Sequence, residues 1–344
     1  MNLTRKYLPF HEDIMAKPTG PVDVSQTLMN ILNTTGKFYG VRGSFGINDP
    51  RIGGHTTCHT LKFGKRLIIF DTGSGMIDIG NELMKQYLTP GTTIRDVDMF
   101  LNRYMTAKSR IEDLGNAMVD SGLLNLEEEL YVDIMYSHVH MDHLMGLAAF
   151  KPIFSPKTHI NFFGGMHDGM TIEEVSQRNV FVHPIFPVKH EWLASKRTYT
   201  TFKPEDEFTL DCDIGGKIAV KILPMNHPNQ SYGYRFEWAG NVVAVTLDHE
   251  HDHEYDRNIV ELWDGASIVV TEAQYDQEMY KTRKGFGHIT ARAAARHAQT
   301  AQPKLIYTTH HDPDADFALV EAIARTIQVR SGVETRYAMQ NMTF

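Results

Sequence analysis

Cysteine is scarce in this sequence, since Cys58 and Cys212 are its two cysteines among 344 residues. Two cysteines cannot build a disulfide-rich scaffold, and they are too few for a metal cluster held by thiolates. Long hydrophobic runs are also missing, because no stretch approaches the roughly 18–20 apolar residues that a membrane-spanning helix needs. Residues 1–17 are mixed and charged, without the apolar segment of a secretory signal. We therefore expect a cytoplasmic protein with no membrane contact.

Positive charge is in deficit as well. Lysine and arginine number 34 against 42 aspartates and glutamates, which gives a formal net charge of -8. An acidic surface repels a phosphate backbone, so non-specific nucleic-acid binding is not expected, although net charge does not exclude a local basic patch. The remaining composition, with 42% hydrophobic residues, is that of an ordinary globular protein with a large core.

Hydrophobic periodicity predicts strands in sequential runs with helices between them, which favours two sheets covered by helices. No linker, repeat or low-complexity tract divides the chain, so we predict one domain over 37–344 and a polar extension packed on it over 1–36. Residues 151–216 look like mixed loop and short strand, with one helix near 171–178. The predicted strands are 37–41, the 56–73 hairpin, 131–136, 217–225, 232–238, 241–248, 266–273, 304–309 and 335–343, and the other helices are 76–88, 93–122, 290–301 and 316–330.

Histidine is abundant, with 18 residues, and its distribution is uneven. His138, His140, Asp142 and His143 lie within six positions, directly after the predicted strand 131–136. On extended chain, His138 and His140 point the same way and can converge on one ion. A turn into helix at Asp142 would aim Asp142 and His143 at a second point nearby. Such a pair of sites is what a two-metal centre requires, and imidazole and carboxylate suit zinc, with manganese or iron as alternatives.

The His-x-His-x-Asp-His pattern after a strand resembles the signature of the metallo-β-lactamase superfamily. Further motifs resemble that superfamily, and in particular its phosphodiesterase-like branch of tRNase Z-type nucleases and cyclic-nucleotide phosphodiesterases. The resemblance implies an α/β fold, a four-layer αββα sandwich of two mixed β-sheets flanked by helices. The segments that carry it follow the family's order: 38–44, 53–58, Asp-Thr-Gly at 71–73, Asn-His-Pro at 226–228, Thr-Leu-Asp at 246–248, Gly-His-Ile-Thr at 287–290 and Thr-His-His-Asp-Pro at 309–313.

The resemblance also implies a set of metal ligands. His138, His140 and His227 would hold one ion; Asp142, His143 and His310 would hold the other; Asp248 would bridge both. Asp142 and His288 are the candidate catalytic residues. His288 could stabilise phosphoryl oxygens or protonate the leaving alkoxide, or it could be a packing residue at the start of a helix.

Other polar residues near these motifs have less specific interpretations. His249, His251 and His253 follow Asp248 and are predicted to lie in a solvated acidic loop at the rim. His297 is predicted to be a surface residue, and His55 could line the pocket or pack. His311 competes with His310 as a ligand, and the motif register favours His310. Asp71 is predicted to be a structural carboxylate rather than a ligand.

The leading functional hypothesis is a metal-dependent phosphodiesterase with a small-molecule substrate. Two ions lower the pKa of a shared water, so that hydroxide is available at neutral pH to attack phosphorus. Residues 147–226 lack the Gly- and Lys-rich arm expected of a tRNase Z, so a cyclic nucleotide is favoured over RNA.

A helical insertion near 90–126 could be a peripheral dimer surface or a lid, and relatives suggest a homodimer. The alternatives are a tRNase Z-like nuclease, a lactone, amide or organophosphate hydrolase, and a catalytically idle binding protein.

Overall fold

The computed structural model describes residues 34–106, 117, 120–123, 129–251 and 256–344. Within them, the first six strands of the chain form a mixed sheet: β1 (Thr34–Gly40), β2 (Cys58–Phe63), β3 (Arg66–Phe70), β4 (Leu130–Met135), β5 (Thr158–Gly164) and β6 (Lys196–Thr201). They lie side by side in chain order. The pairs from β1 to β3 are antiparallel, and those from β3 to β6 are parallel.

Seven strands from the second half form another mixed sheet: β7 (Glu207–Asp211), β8 (Lys217–Met225), β9 (Ser231–Trp238), β10 (Asn241–Thr246), β11 (Ile268–Glu272), β12 (Leu305–Thr309) and β13 (Glu334–Tyr337). These too are arranged in chain order. The pairs from β7 to β10 are antiparallel, and those from β10 to β13 are parallel.

Eight α-helices connect these strands in the described part of the chain. They are α1 (Met76–Lys85), α2 (Ile94–Thr106), α3 (Met141–Leu144), α4 (Ile172–Val175), α5 (Arg257–Trp263), α6 (Gln277–Arg283), α7 (Ala291–Ala301) and α8 (Phe317–Ser331). Helix α4 continues into a π-helical turn at Ser176–Val180, and short 3-10 helices occur at Leu147–Ala149, Lys151–Phe154 and His190–Trp192. No helix that the structure describes is long and apolar enough to span a membrane.

Three apolar layers separate four layers of secondary structure. The central layer lies between the two sheets and includes Phe38, Phe70 and Phe236. A second layer packs α1 and the 3-10 helices on the outer face of the first sheet. A third packs α5, α7 and α8 on the outer face of the second sheet. The predicted four-layer αββα sandwich is therefore confirmed.

Local sequence explains the best-predicted elements. The hairpin turn between β2 and β3 is at Gly64. Its φ of 61° lies in the left-handed region, which glycine adopts without strain because it has no Cβ. Helix α7 begins after Thr290, which is its N-cap residue. The Thr290 side chain accepts a hydrogen bond from the Ala293 N–H, a group that has no partner within the helix. Both features agree with the sequence prediction to within a residue.

Over 151–216, where loop, short strand and one helix near 171–178 were predicted, the structure has three strands, β5 to β7, and the predicted helix is α4 with its π-helical turn. Strand β6 reads Lys-Arg-Thr-Tyr-Thr-Thr and lies at the sheet edge with its residues exposed or half-buried, so it has no apolar pattern to detect. Strand β1 begins at Thr34, three residues before the predicted start at Lys37. Residues 1–33 and most of 107–128 lie outside the described residues, so the N-terminal extension and most of the insertion stay predictions.

Candidate metal centre

The seven predicted ligands lie together, and each follows the carboxyl end of a strand. The cluster 138–143 follows β4, and the other three follow β8, β10 and β12. His140 is extended, with ψ of 158°, and α3 begins at the next residue. The expected change from strand to helix therefore occurs between His140 and Asp142. Except for the half-exposed His140, the seven side chains are buried: His138, Asp142, His143, His227, Asp248 and His310.

One set of ligand atoms, the first ligand group, consists of His138 Nε2, His140 Nδ1, His227 Nε2 and Asp248 Oδ2. His140 Nδ1 is 2.9 Å from His138 Nε2 and 3.2 Å from His227 Nε2. Asp248 Oδ2 is 3.6 Å from His138 Nε2 and 3.9 Å from His227 Nε2. Ligands about 2.1 Å from a tetrahedral zinc ion would be about 3.4 Å apart. These separations are therefore of the size that one ion needs.

A second ligand group consists of Asp142 Oδ2, His143 Nε2 and His310 Nε2, and Asp248 Oδ1 lies next to the last two. His143 Nε2 is 3.1 Å from His310 Nε2 and 3.2 Å from Asp142 Oδ2. Asp248 Oδ1 is 3.4 Å from His143 Nε2 and 3.2 Å from His310 Nε2. The two oxygens of Asp248 thus face different groups, which is the arrangement of a bridging carboxylate.

The chemistry of both groups fits divalent cations. Burial, only partly opposed by Asp248, lowers the pKa of His227 to about 4, so its imidazole is neutral at pH 7, as metal ligation requires. Asp248 Oδ1 is buried without a hydrogen-bond donor among the described residues. His143 has a raised pKa because Asp142, Asp248 and Asp71 outweigh the effect of its burial. The residues therefore concentrate negative charge that cations would neutralise.

Asp71 orients two of the ligand rings. Its Oδ2 is 2.8 Å from His143 Nδ1 and accepts the Ser137 hydroxyl at 2.7 Å. Ser137 Oγ is in turn 3.1 Å from His138 Nδ1. Hydrogen bonds of this kind fix the orientation and tautomer of a metal-binding histidine. Asp71 thus has the geometry of the structural carboxylate predicted from the sequence.

The remaining ligand rings also have partners on their outer nitrogens. His227 Nδ1 is 2.9 Å from the Gly287 carbonyl oxygen, to which it can donate, and the Gln274 amide is 3.3 Å from His310 Nδ1. Gly43 and Gly287 let the backbone approach these rings, because an added Cβ would collide with His310 at Gly43 and with His227 at Gly287. The close approach explains why glycine occupies both positions.

His288 lies beside the two groups and is 6% exposed. Its Nδ1 is 3.0 Å from Glu272 Oε2 and 3.9 Å from Asp248 Oδ2. Burial alone would lower the pKa of His288, but the Glu272 and Asp248 carboxylates raise it to about 9. In the protein without cations, His288 is therefore an imidazolium that can donate a hydrogen bond to an anion. Sequence reasoning missed Glu272, although a carboxyl group at the end of a buried strand was the available signal.

Two predictions about nearby residues were wrong. In the loop predicted to be solvated, His249 and its neighbour Glu250 are buried, and His251 is half-buried. His297 is buried rather than exposed, because its ring packs edge-on against Trp263 and its Nε2 accepts the Asp256 N–H. His253 lies outside the described residues.

The open alternatives at two other histidines are resolved by their contacts. His311 is directed away from the ligand groups, with Nε2 3.0 Å from the Ala338 carbonyl oxygen. His310 faces Asp142 and Asp248 instead, as the motif register favoured. His55 belongs to neither group, and its Nδ1 is 3.0 Å from Ser74 Oγ, so its place at the pocket stays a prediction.

Comparisons with known proteins agree with this geometry. The family model for a β-lactamase superfamily domain matches residues 127–311, which is more than half of the chain. No curated protein matches the sequence. Among solved structures, the metallo-β-lactamase-fold protein YhfI from Bacillus subtilis has 14% sequence identity and a TM-score of 0.57, over 90% of this chain and 98% of its own.

Two further structures have the same fold. The short form of human tRNase Z has 15% identity and a TM-score of 0.53, over 90% of this chain and 98% of its own. A diphosphatase of the PhnP family has 17% identity and a TM-score of 0.53, over 90% of this chain and 97% of its own. At these identities the likeness concerns the fold, while the family model covers the segments that contain all seven clustered ligands. The chain therefore belongs to the metallo-β-lactamase superfamily of metal-dependent hydrolases.

Proposed function

We propose that this protein is a dinuclear-metal phosphodiesterase that hydrolyses a small phosphodiester, with a cyclic nucleotide as the first candidate. The observation that supports it best is the geometry of Asp248, whose two oxygens face two separate ligand groups. Two-metal centres of this kind are common in enzymes that cleave phosphate esters. The net charge of -8 favours a small substrate over a nucleic acid, because the latter would be repelled.

In this proposal the first ligand group would hold one ion and the second group would hold the other, and Asp248 would contribute one oxygen to each. Zinc is the proposed metal, because tetrahedral imidazole and carboxylate sites suit it, and manganese or iron accept the same ligands. When bound, the two ions lower the pKa of a shared water and offset the charge of the phosphoryl group.

The chain's own residues would supply proton transfer and orientation. Glu272 holds Nδ1 of His288, so Nε2 is left to donate to a phosphoryl oxygen or to the leaving alkoxide. Asp142 is fixed by the Ser44 N–H, which donates to its Oδ2 at 2.8 Å. We propose that Asp142 accepts a proton from the attacking water in addition to binding an ion.

The test is hydrolysis by metal-loaded protein of a substrate panel: 2′,3′- and 3′,5′-cyclic nucleotides, linear dinucleotides, bis-p-nitrophenyl phosphate and a precursor tRNA. We expect close to two ions per chain and turnover of the small diesters. His140→Ala and Asp248→Ala should abolish turnover while the circular dichroism spectrum stays unchanged. His159→Ala is the matched control, because His159 lies on β5 and pairs with Glu129 outside the two groups.

Unchanged turnover in His140→Ala or Asp248→Ala would contradict the proposal. Cleavage of the precursor tRNA alone, with steep salt sensitivity, would favour the RNA-processing alternative. Hydrolysis of lactones or organophosphates, with no hydrolysis of phosphodiesters, would favour the alternative of a lactone or organophosphate hydrolase. The proposed homodimer is tested separately by sedimentation equilibrium.

A further inference from the structure

Glu250 is a buried carboxylate close to the metal centre that the proposed reaction does not use. It is 8% exposed and lies two residues after Asp248. Its carboxyl group accepts four hydrogen bonds: two from the Gly285 N–H at 2.7 and 3.0 Å, one from the Gly287 N–H at 3.0 Å and one from the Tyr280 hydroxyl at 2.8 Å. Burial alone would raise the pKa of Glu250, but these donors hold it below its usual value.

The two glycine donors belong to a short loop, 284–287, between α6 and His288, whereas Tyr280 lies in α6 itself. Gly285 and Gly287 have φ of 91° and 93°, a left-handed backbone conformation that directs their N–H groups toward the carboxylate. Successive N–H groups that converge in this way form an anion-binding concavity. Here the anion is a side chain of the protein itself. Without it, the buried Gly287 N–H would lose its acceptor, which is unfavourable for a buried donor.

The loop contacts a predicted ligand of the first group. The Gly287 carbonyl oxygen accepts from His227 Nδ1 at 2.9 Å, and His288 is the next residue. Glu250 is also bonded to the segment that contains His227, because its N–H donates to the Asn226 carbonyl at 2.7 Å and its carbonyl accepts from Asn226 Nδ2 at 2.9 Å. Glu250 therefore connects the His227 segment to the loop that orients the His227 ring.

We propose that Glu250 is a positioning residue of the metal centre, which fixes loop 284–287 and, through the Gly287 carbonyl, the ring of His227. The proposal rests on the metal-binding role given to His227 under the proposed function. It has a selective consequence, because His143 and His310 in the second group are oriented by Asp71 and Gln274 instead. Loss of Glu250 should weaken binding of one ion of the two.

The experiment titrates metal-free protein with Co²⁺, followed by calorimetry and by the visible absorption of the bound ion. In Glu250→Gln, the amide would turn N–H groups toward the N–H groups of the loop. We expect one ion to bind as in the wild type and the other to bind about 10–100-fold more weakly, with a changed absorption spectrum. Glu250→Asp keeps the charge and should recover part of the affinity.

Asp133→Asn is the matched control for loss of a buried carboxylate. Asp133 lies on β4, where it accepts from Arg66 and Asn161, so this variant should bind both ions normally even if it unfolds at a lower temperature. Normal binding of both ions by Glu250→Gln, or equal weakening of both, would overturn the proposal. If Glu250→Gln does not fold, Glu250→Asp is measured instead: weaker binding of one ion alone, by less than is expected for Glu250→Gln, supports the proposal, and normal binding or equal weakening of both overturns it. A wild type that binds two ions but cleaves no phosphodiester would refute the proposed function and leave the role of Glu250 testable.

Discussion

At the scale of single residues, the metal centre is built on strained backbone. Ser44, Asp71, Asp248 and His310 have φ of 57°, 53°, 42° and 54°. This left-handed region costs roughly 1–2 kcal/mol for a residue with a Cβ, although aspartate tolerates it better than most. The last three follow β3, β10 and β12 directly or within two residues. The surrounding fold holds these strand ends in a conformation that places their side chains within reach of one another.

A pair of substitutions at Asp248 separates this strain from metal binding. Asp248→Gly and Asp248→Ala both remove the bridging carboxylate, but glycine adopts the left-handed conformation without steric cost. We expect Asp248→Gly to be more stable than Asp248→Ala by about 1 kcal/mol, after the greater unfolded-state entropy of glycine is subtracted. Urea unfolding in the presence of a chelator measures the difference. A more stable alanine variant would show that the backbone at 248 relaxes when the side chain is removed.

At the scale of secondary-structure elements, the sequence predicted those with strong local signals. Strand β8 has the predicted bounds, Lys217–Met225. Its apolar residues mostly alternate between buried and less buried positions, and this pattern ends at the Asn-His-Pro motif. Helices α5 and α6 were not predicted. Each has seven residues, and α6 buries no side chain, so neither presents a long apolar stripe. Both begin after a capping aspartate, Asp256 and Asp276, which was the available signal.

Strand β2 carries a histidine into the central apolar layer, and this has a consequence for acid stability. The His59 ring stacks on Phe70, and its nitrogens have no hydrogen-bond partner among the described residues. Burial, with a smaller effect of His143, lowers the pKa of His59 to about 3, against about 6.5 in the unfolded chain. Because the folded pKa is the lower one, this contribution to stability is complete above about pH 6.5 and is lost as the pH falls toward 3.

We expect His59→Leu to remove this acid sensitivity. Between pH 7 and pH 5, the wild type should lose about 2 kcal/mol more unfolding free energy than the variant. Urea unfolding of both proteins at the two pH values, with a chelator to exclude metal effects, measures the comparison. Equal losses would mean that His59 remains accessible to protons in the folded state.

At the scale of the whole molecule, the predicted ligands come from both sheets. The cluster 138–143 follows a strand of the first sheet, whereas His227, Asp248 and His310 follow strands of the second. The sequence could indicate these residues because each lies in a short motif, and the motifs follow one another in the order of the family. It could not indicate Glu250, since the importance of that residue depends on a loop from a distant part of the chain that packs against it.

Metal removal should therefore lower the stability of the whole fold. An ion that binds the folded state alone contributes about 2.7 kcal/mol at a concentration of 100 times its Kd. For a chain of this size we expect chelation to lower Tm by several degrees, and added zinc to restore it. Asp248→Ala, which lacks the bridging carboxylate, should respond less in differential scanning calorimetry. An unchanged Tm on chelation of the wild type would contradict a stabilising role for the ions.

The division of the ligands between the two sheets has a further consequence in a cell. Ions bound between the two sheets would hold the sheets together, and a chain made during metal starvation would lack these contacts. Such a chain would unfold locally more often, and proteases cleave the segments that are transiently unfolded. The lifetime of this protein would then rise and fall with the metal supply, so that its abundance would report on that supply before any substrate was turned over.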